Sequence, residues 1–245
     1  MPVQERGGSQ TGMSVVLLYH RIGPPKLASL VAGQYVAPRL FRHQLDYLTA
    51  RGWVCKSLGE IGEAGEKAFA VTFDDGYLSV YEHAVPILRQ RGMTATVFVV
   101  ADTVGGTNVW DHKAGDLKEK MMSAEQIREL AASGFEIGSH TLTHPHLTEL
   151  DDDQLARELR ESKSKLEEIT GSEIVSFSYP YGDYDARVLA AAKDAGYRIA
   201  VTTRLGIVAA ASPMEIPRVN VRWNAIGPLL MRKISRARAA SARKK

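Results

Sequence analysis

Two adjacent carboxylates, Asp74 and Asp75, follow an apolar stretch and precede a glycine. The apolar and β-branched residues from Phe69 to Phe73 predict a buried strand, and Gly76 allows the chain to turn sharply after it. Two carboxylates side by side repel each other unless a cation lies close to them. The first question that the sequence raises is therefore which cation meets this pair.

Two histidines, His140 and His144, lie four residues apart in a second polar segment. Pro145 argues against a long helix through His144, so a loop would have to bring the two imidazoles together. Taken alone, such a histidine pair is more often structural, and an acid pair at a strand end often only caps a helix. Taken together, one carboxylate and two histidines form a ligand set of catalytic zinc or iron sites, which keep positions open for water and substrate. The second carboxylate is then free to act as a base.

Strand and helix patterns alternate along the chain, without a linker or an internal repeat. This order predicts an α/β fold, a single barrel-like domain rather than an antiparallel α+β arrangement. In a barrel of parallel strands the carboxyl ends converge on one face. Polar residues recur at the predicted strand ends: His20, Asp74, Asp75, His140, Tyr179 to Tyr181 and Arg218. The segment from Gly105 to Lys120 shows no periodicity, and we interpret it as a loop over one face.

The composition is that of an ordinary globular protein. The 245 residues are 44% hydrophobic and 24% charged, with a formal net charge of +3. Seven Lys and Arg residues and no acids lie between Arg232 and Lys245, so residues 1–231 carry a net charge of −4. A nucleic-acid-binding core is therefore not expected. The single cysteine, Cys55, excludes an internal disulfide.

Residues 1–13 lack the apolar centre of a signal peptide, and no apolar run is long enough to cross a bilayer. These two observations predict a cytoplasmic location. We further divide the chain into a flexible N-terminal tail (residues 1–13), a catalytic domain (residues 14–225) and a basic C-terminal helix or tail (residues 226–245).

The pattern as a whole resembles the NodB-type polysaccharide deacetylases, metal-dependent hydrolases that remove N-acetyl groups from amino sugars on a distorted (β/α) barrel. The likeness extends from Val15 to Val221. Thr72 to Gly76 is similar to the first family motif, which implies that Asp74 is the general base and Asp75 a metal ligand. Ser139 to His144 is similar to the second motif, which implies that His140 and His144 are the other two ligands.

Ser178 to Gly182 resembles the third motif, which implies that the backbone N–H of Tyr181 stabilises the oxyanion and that Tyr181 and Pro180 contact the substrate. A single donor of this kind is worth about 3 kcal/mol of barrier. Two family features are missing: an arginine near the start of the third motif, and a late Leu-X-His segment that carries the acid histidine.

Replacements for both features resemble the poly-N-acetylglucosamine deacetylase branch, in which the motif order is permuted. Leu18 to Arg21 is similar to the N-terminal segment of that branch, which implies that His20 is the general acid. Ile216 to Asn220 is similar to its late arginine segment, which implies that Arg218 is the partner of Asp74. A neighbouring guanidinium would keep that base ionised.

The resemblance implies a divalent metal as cofactor, with Zn²⁺ expected and Ni²⁺ or Co²⁺ also suited to the ligands. It implies an N-acetylated carbohydrate as the partner and substrate. Trp110, in the segment Trp110-Asp111-His112, either stacks against a sugar or holds a loop in place, and the sequence leaves both readings open.

Other functions remain open at this point. The substrate could be a small non-sugar amide, or the barrel could bind carbohydrate without turning it over, since the usual acid histidine is missing. From Ile226 to Arg238, apolar residues recur at helical spacing among basic ones. We favour a terminal helix docked on the barrel, and the alternative is a weak contact of this basic tail with an anionic membrane surface.

Overall fold

The computed structural model of the protein describes residues 12–62, 67–208 and 212–243. The strands are β1 (Met13–Tyr19), β2 (Arg21–Ile22), β3 (Tyr35–Val36), β4 (Val54–Cys55), β5 (Lys67–Phe73), β6 (Thr96–Val99), β7 (Glu136–Ser139), β8 (Ser176–Ser178), β9 (Ile199–Val201) and β10 (Arg218–Asn220). The α-helices are α1 (Pro38–Thr49), α2 (Val85–Arg89), α3 (Val109–Lys113), α4 (Ala124–Ala132), α5 (Asp152–Thr170), α6 (Ala186–Asp194) and α7 (Gly227–Ala242). The predicted N-terminal tail lies outside the described residues as far as residue 11.

One parallel sheet contains most of the strands. Its main path follows the order β10-β1-β5-β6-β7-β8-β9, and β4 pairs with the start of β5. A parallel bridge joins Val201, at the end of β9, to Ile216, just before β10, and so brings the two sheet edges together. The sheet is therefore a nearly closed barrel of seven strands with helices around it, and the predicted α/β barrel is confirmed. Because the strands run parallel, their carboxyl ends meet at one rim.

The longest pairing in the barrel joins β1 and β5. The register runs from Met13 opposite Lys67 to Tyr19 opposite Phe73. In both strands every residue after the first is buried, as expected for parallel strands covered on both faces. The pairing continues one step beyond the strands, since the N–H of Asp74 donates to the carbonyl of Tyr19 at 3.0 Å. The residues that follow the two strands therefore emerge side by side at the rim.

Local sequence signals account for several helix ends. Ser123 and Gln126 form a capping box at the start of α4. Asp151 and Gln154 form the same arrangement at the start of α5. This long helix ends at Gly171, which takes the left-handed conformation with φ 68°.

One helix is irregular, and one predicted segment differs from the structure. Residues Val80–Ala84 form a π-turn that continues as α2. Pro86 lies in the first turn of α2, and since proline has no N–H, it cannot continue the regular hydrogen-bond ladder of the preceding turn. The segment from Gly105 to Lys120 is not entirely loop, because it contains the short helix α3.

The C-terminal helix α7 packs against the barrel. Its buried residues are Gly227, Leu230, Ile234 and Ala237. Gly227 lies so close to α1 that a Cβ atom there would come within 2.3 Å of the Tyr47 ring. This is the docked arrangement, and it gives no support to a tail lying on a membrane. None of the helices in the described part of the chain has both the length and the apolar character to cross a bilayer.

We expect Leu230→Ala to lower the free energy of unfolding by about 2–5 kcal/mol, because it leaves a cavity under a docked helix. The matched control is Leu229→Ala, on the same helix but 41% exposed, which should cost about 0.5 kcal/mol or less. Urea denaturation of both variants measures the difference. Equal, small losses would show that α7 does not pack on the barrel in solution.

Candidate active site and metal centre

A cleft of about 350 Å³ opens at the carboxyl rim of the barrel. The residues that follow β1, β5 and β7 lie in its wall: His20, the Asp74-Asp75 pair and His140. Strands, the helix α3 and loops supply the rest of the wall: Leu18, Val31, Gln34, Trp110, Asp111, His144, Tyr181, Thr203 and Asn220. The barrel thus gathers most of the predicted site residues in one cleft.

The backbone is strained at this cleft. Among the described residues other than glycine, positive φ values occur at four positions: Asp75 (76°), Thr141 (68°), His144 (66°) and Tyr181 (59°). Side chains with a Cβ rarely adopt this conformation, and such strain clusters at functional sites. At Asp75 it has a direct consequence: neighbouring residues of a strand point to opposite faces, and the turn brings both carboxylates to the same cleft.

Asp75, His140 and His144 form the candidate metal centre. Oδ1 of Asp75 lies 3.4 Å from Nε2 of His140 and 3.6 Å from Nε2 of His144. One donor atom from each residue lies within 4.8 Å of the others, and all three side chains are buried. A buried set of one carboxylate oxygen and two imidazole nitrogens fits a divalent transition metal with positions left open.

The two histidines are oriented in different ways. Nδ1 of His140 lies 2.7 Å from the carbonyl oxygen of Ser178. Nδ1 therefore carries the proton, and the lone pair of Nε2 faces the centre, as in many metal-binding histidines. Nδ1 of His144 has no hydrogen-bond partner in the described chain. Its ring is instead held between Trp110, stacked at 4.6 Å, and the edge of Tyr181, also at 4.6 Å.

The loop between the two histidines is anchored by Glu158 of α5. Its carboxylate accepts hydrogen bonds from the N–H of Leu142 at 2.8 Å, the N–H of Thr143 at 3.0 Å and the hydroxyl of Thr143 at 2.6 Å. The hydroxyl oxygen of Thr141 also accepts from the N–H of His144 at 3.0 Å. These bonds stabilise the two left-handed residues of the loop. The sequence offered no signal for Glu158, one of many acids on a charged helix.

Asp74 is held apart from this centre by Arg218. The guanidinium donates to both carboxylate oxygens of Asp74 at 2.7 Å, and Arg218 is 1% exposed. Burial, the largest single influence, raises the pKa of Asp74, but the charge and hydrogen bonds of Arg218, together with the nearby His140 and His20, hold that pKa below its usual range. The hydroxyl of Ser178 bonds both groups: it donates to Asp74 at 3.2 Å and accepts from Arg218 at 3.0 Å.

The position of Arg218 differs from the prediction. We expected it at a strand end, but it is the first residue of β10, opposite Val16 of β1. Its side chain reaches the rim through the barrel, where it also donates to Thr72 Oγ1 at 3.2 Å and to the carbonyl of Thr202 at 2.9 Å. A long side chain can reach the rim from a residue lower in the strand, and the spacing of residues in the sequence does not reveal this.

His20 lies in the cleft wall directly after β1, and a hundred or more residues separate it from the histidines of the metal centre. Burial lowers its pKa by more than the carboxylates of Asp75 and Asp74 raise it. The imidazole is therefore neutral at pH 7 and must take up a proton before it can donate one. The role of acid, implied by resemblance, stays a prediction.

The predicted substrate contacts divide into two groups. Tyr181 lines the cleft, is 50% exposed and stacks on His146 at 4.1 Å. Trp110 also lines the cleft, but one face of its ring covers His144. Pro180 is buried and is not part of the cleft wall. His146 is a partner of Tyr181 and lies outside the metal-binding group.

Comparison with known proteins supports the fold and the motifs. Residues 61–200 match the family model described as polysaccharide deacetylase. YxkH, a Bacillus subtilis protein that carries the family's name, is 31% identical over 192 residues, which cover 78% of this chain and 64% of YxkH. The poly-beta-1,6-N-acetyl-D-glucosamine N-deacetylase of Escherichia coli is 27% identical over 222 residues, 75% of this chain and 33% of the relative.

A solved structure is similar over most of the chain. The Streptococcus pyogenes deacetylase PplD, in complex with acetate, superposes with a TM-score of 0.76 at 25% identity, covering 91% of this chain and 98% of PplD. By contrast, the chain spans less than two thirds of the length of YxkH and of the E. coli enzyme. The fold, the motifs and the family match define one class: the chain belongs to the polysaccharide deacetylase family, and the resemblance seen in its motifs is confirmed.

We expect Arg218→Met to lower the free energy of unfolding at pH 7 by about 3–5 kcal/mol, because it leaves the buried carboxylate of Asp74 without its partner. The control is Arg198→Met, which removes an equally close but exposed pair with Glu173 and should lower the free energy of unfolding far less, because water screens that pair. Denaturation in the presence of a chelator keeps bound metal from masking the difference. Similar losses for both variants would contradict a buried, paired Asp74.

We expect His144→Ala to weaken binding of Zn²⁺ by at least about tenfold, since even the loss of a partner that only orients a ligand costs that much. Calorimetric titration of chelator-treated protein measures the affinity. His146→Ala removes an imidazole two residues away, and its affinity should stay within about twofold of the parent. An unchanged affinity in His144→Ala would exclude this residue as a ligand.

Proposed function

We propose that the chain is a metal-dependent hydrolase that removes N-acetyl groups from an N-acetylated amino sugar in a polysaccharide, an oligosaccharide or a glycan precursor. The observation that carries this proposal is the divided environment of two neighbouring carboxylates. Asp75 faces two histidines, while Asp74 faces a guanidinium in the same cleft. A site that only binds sugar has no need for a carboxylate kept ionised beside a metal centre.

Asp75, His140 and His144 would hold the metal, with Zn²⁺ as our first choice and Ni²⁺ or Co²⁺ as alternatives. When bound, such a metal polarises a carbonyl and lowers the pKa of adjacent water to about 7. The charge of the donor set supports this assignment. A single carboxylate and two neutral imidazoles would neutralise only half of the charge of a divalent metal, so the bound metal would keep a net positive charge. Two facing imidazoles buried at 2% and 6% exposure are otherwise hard to account for.

Asp74 is the base in this proposal. Its low pKa keeps it ionised, so it accepts a proton from the water whose oxygen bonds to the acetyl carbon. The backbone N–H of Tyr181 stabilises the negative oxygen that forms. The C–N bond then breaks, and its electron pair stays on nitrogen. His20, after taking up a proton from the solvent, supplies that proton to the nitrogen, and Asp74 returns its own proton to the solvent. The products are acetate and a free amine.

Two of the relatives agree with this reaction. The name of the E. coli relative describes removal of acetyl groups from poly-β-1,6-N-acetyl-D-glucosamine, and the S. pyogenes deacetylase was solved with acetate. We therefore place N-acetylglucosamine polymers or oligomers first among the substrates. The cytoplasmic location predicted from the sequence stays a prediction and would favour a small or lipid-linked precursor.

The test is acetate release from a panel of N-acetylated glycans, with and without a chelator. We expect release from at least one glycan, loss of release with the chelator and recovery when Zn²⁺ is added back. Asp74→Asn should lower the rate by about 10²- to 10⁴-fold while its affinity for Zn²⁺ stays close to that of the parent. Asp102→Asn, a partly exposed acid paired with Lys165, should keep the parent rate.

Three results would contradict the proposal. Full activity after chelation would exclude the metal, and full activity in Asp74→Asn would exclude the base. Activity on small non-sugar amides, with none on any glycan, would favour the alternative substrate class.

A further inference from the structure

Asp111, on the short helix α3, has one carboxylate oxygen that accepts no hydrogen bond from the described residues. Its Oδ2 accepts from Arg21 at 2.5 Å, from the hydroxyl of Tyr77 at 2.8 Å and from the Asn108 amide at 3.3 Å. No hydrogen bond from the described residues reaches its Oδ1. Asp111 lines the cleft that holds the metal centre, and its side chain is 21% exposed.

The anchor of this carboxylate is a buried arginine. Arg21 is 1% exposed and directly follows His20. Its guanidinium lies over the Tyr77 ring, 4.1 Å from the centroid, and also donates to Gln34 at 2.5 Å. A buried guanidinium strongly favours a paired carboxylate, and removal of one partner is costly. Asp111 is therefore held in one orientation at the cleft wall, before any ligand arrives.

The helix itself is anchored from both sides. The Asn108 side chain accepts from the N–H of Glu119 at 2.7 Å and donates to the carbonyl of Leu117 at 3.0 Å, which closes the segment around α3. Trp110, the residue before Asp111, packs on His144 of the candidate metal centre. Asp111 thus stands beside the metal centre but outside the group of residues that could hold the ion.

A rigid carboxylate oxygen in a sugar-sized cleft is a hydrogen-bond acceptor for a hydroxyl. We infer that Asp111 is a specificity-determining residue, whose Oδ1 accepts a hydrogen bond from a hydroxyl group of the N-acetylated sugar. The inference rests on the proposed function for the identity of the ligand. Preorganisation strengthens such a contact, because the cost of ordering the acceptor is met by folding and not by binding. A bond to a charged acceptor contributes about ten- to hundredfold in affinity.

The experiment measures binding to chelator-treated protein, so that the ligand is not consumed. Calorimetry uses an N-acetylglucosamine pentamer and the same oligomer lacking the 3-, 4- or 6-hydroxyl groups. For the parent, loss of one hydroxyl type should weaken binding about ten- to hundredfold. For Asp111→Asn, the pentamer should bind with a similar loss, and the sensitive deoxy oligomer should lose nothing further.

The matched control is Asp116→Asn. Asp116 is a buried acid of the same segment, and it accepts from the hydroxyl of Ser29 at 2.9 Å and from the N–H of Leu30 at 2.8 Å. It does not line the cleft. Both variants should lower the unfolding temperature, but Asp116→Asn should bind the pentamer within about twofold of the parent. Zn²⁺ affinity should be close to the parent value in both.

The outcomes separate the inference from the proposed function. Equal binding by Asp111→Asn and the parent, or a parent that tolerates the loss of every hydroxyl, overturns the inference alone. The second result is measured on the parent protein alone, so it can overturn the inference even if Asp111→Asn does not fold. A parent that binds no N-acetylated glycan overturns both. Binding that follows the expected pattern without acetate release supports Asp111 and contradicts the proposed hydrolase.

Discussion

The site depends on burying two neighbouring carboxylates without mutual repulsion. Asp74 and Asp75 are 3% and 5% exposed, so bulk water screens their repulsion only weakly. The protein gives each its own partner: Arg218 neutralises one, and two imidazoles face the other. Only the first partner carries a permanent charge, so the second carboxylate is left with the capacity to bind a cation. The different electrostatic partners of Asp74 and Asp75 are therefore what allows the two carboxylates to have different chemical roles.

That division requires a bent backbone, and the bend has to be stabilised elsewhere. Each non-glycine residue in the left-handed region costs roughly 1–3 kcal/mol. Three of the four such residues line the cleft, and the fourth, Thr141, directly follows His140. For Thr141 and His144 the compensation is visible in the hydrogen bonds that Glu158 and the Thr141 hydroxyl accept from the loop backbone. At Asp75 it comes from the close pairing of β1 with β5, which continues to the N–H of Asp74. The strained residues at the cleft are thus stabilised by the regular helices and strands around them.

The sequence predicted the barrel, because continuous apolar runs and helix caps are local signals. It also indicated which residues meet at the rim, since strand ends converge in any parallel barrel. The resemblance named Arg218 as the partner of Asp74, but the sequence did not reveal that this side chain reaches the rim from the first residue of its strand. Nor could it indicate Glu158 or the contact of Arg21 with Asp111, which is 90 residues away. Such partners are selected by three-dimensional packing and leave no pattern of spacing.

The short helix α3 shows how much this limit matters. Without periodicity the segment was predicted to be a loop, and for Trp110 the sequence left open whether it stacks against a sugar or holds the loop in place. One face of that ring instead covers His144, the histidine whose Nδ1 has no hydrogen-bond partner in the described chain. The ring of this proposed metal ligand is therefore oriented by aromatic packing, and the same helix carries Asp111 in the cleft wall. Because α3 is held through Arg21, the residue after His20, one buried guanidinium connects the helix that covers His144 with the strand end that carries the proposed acid.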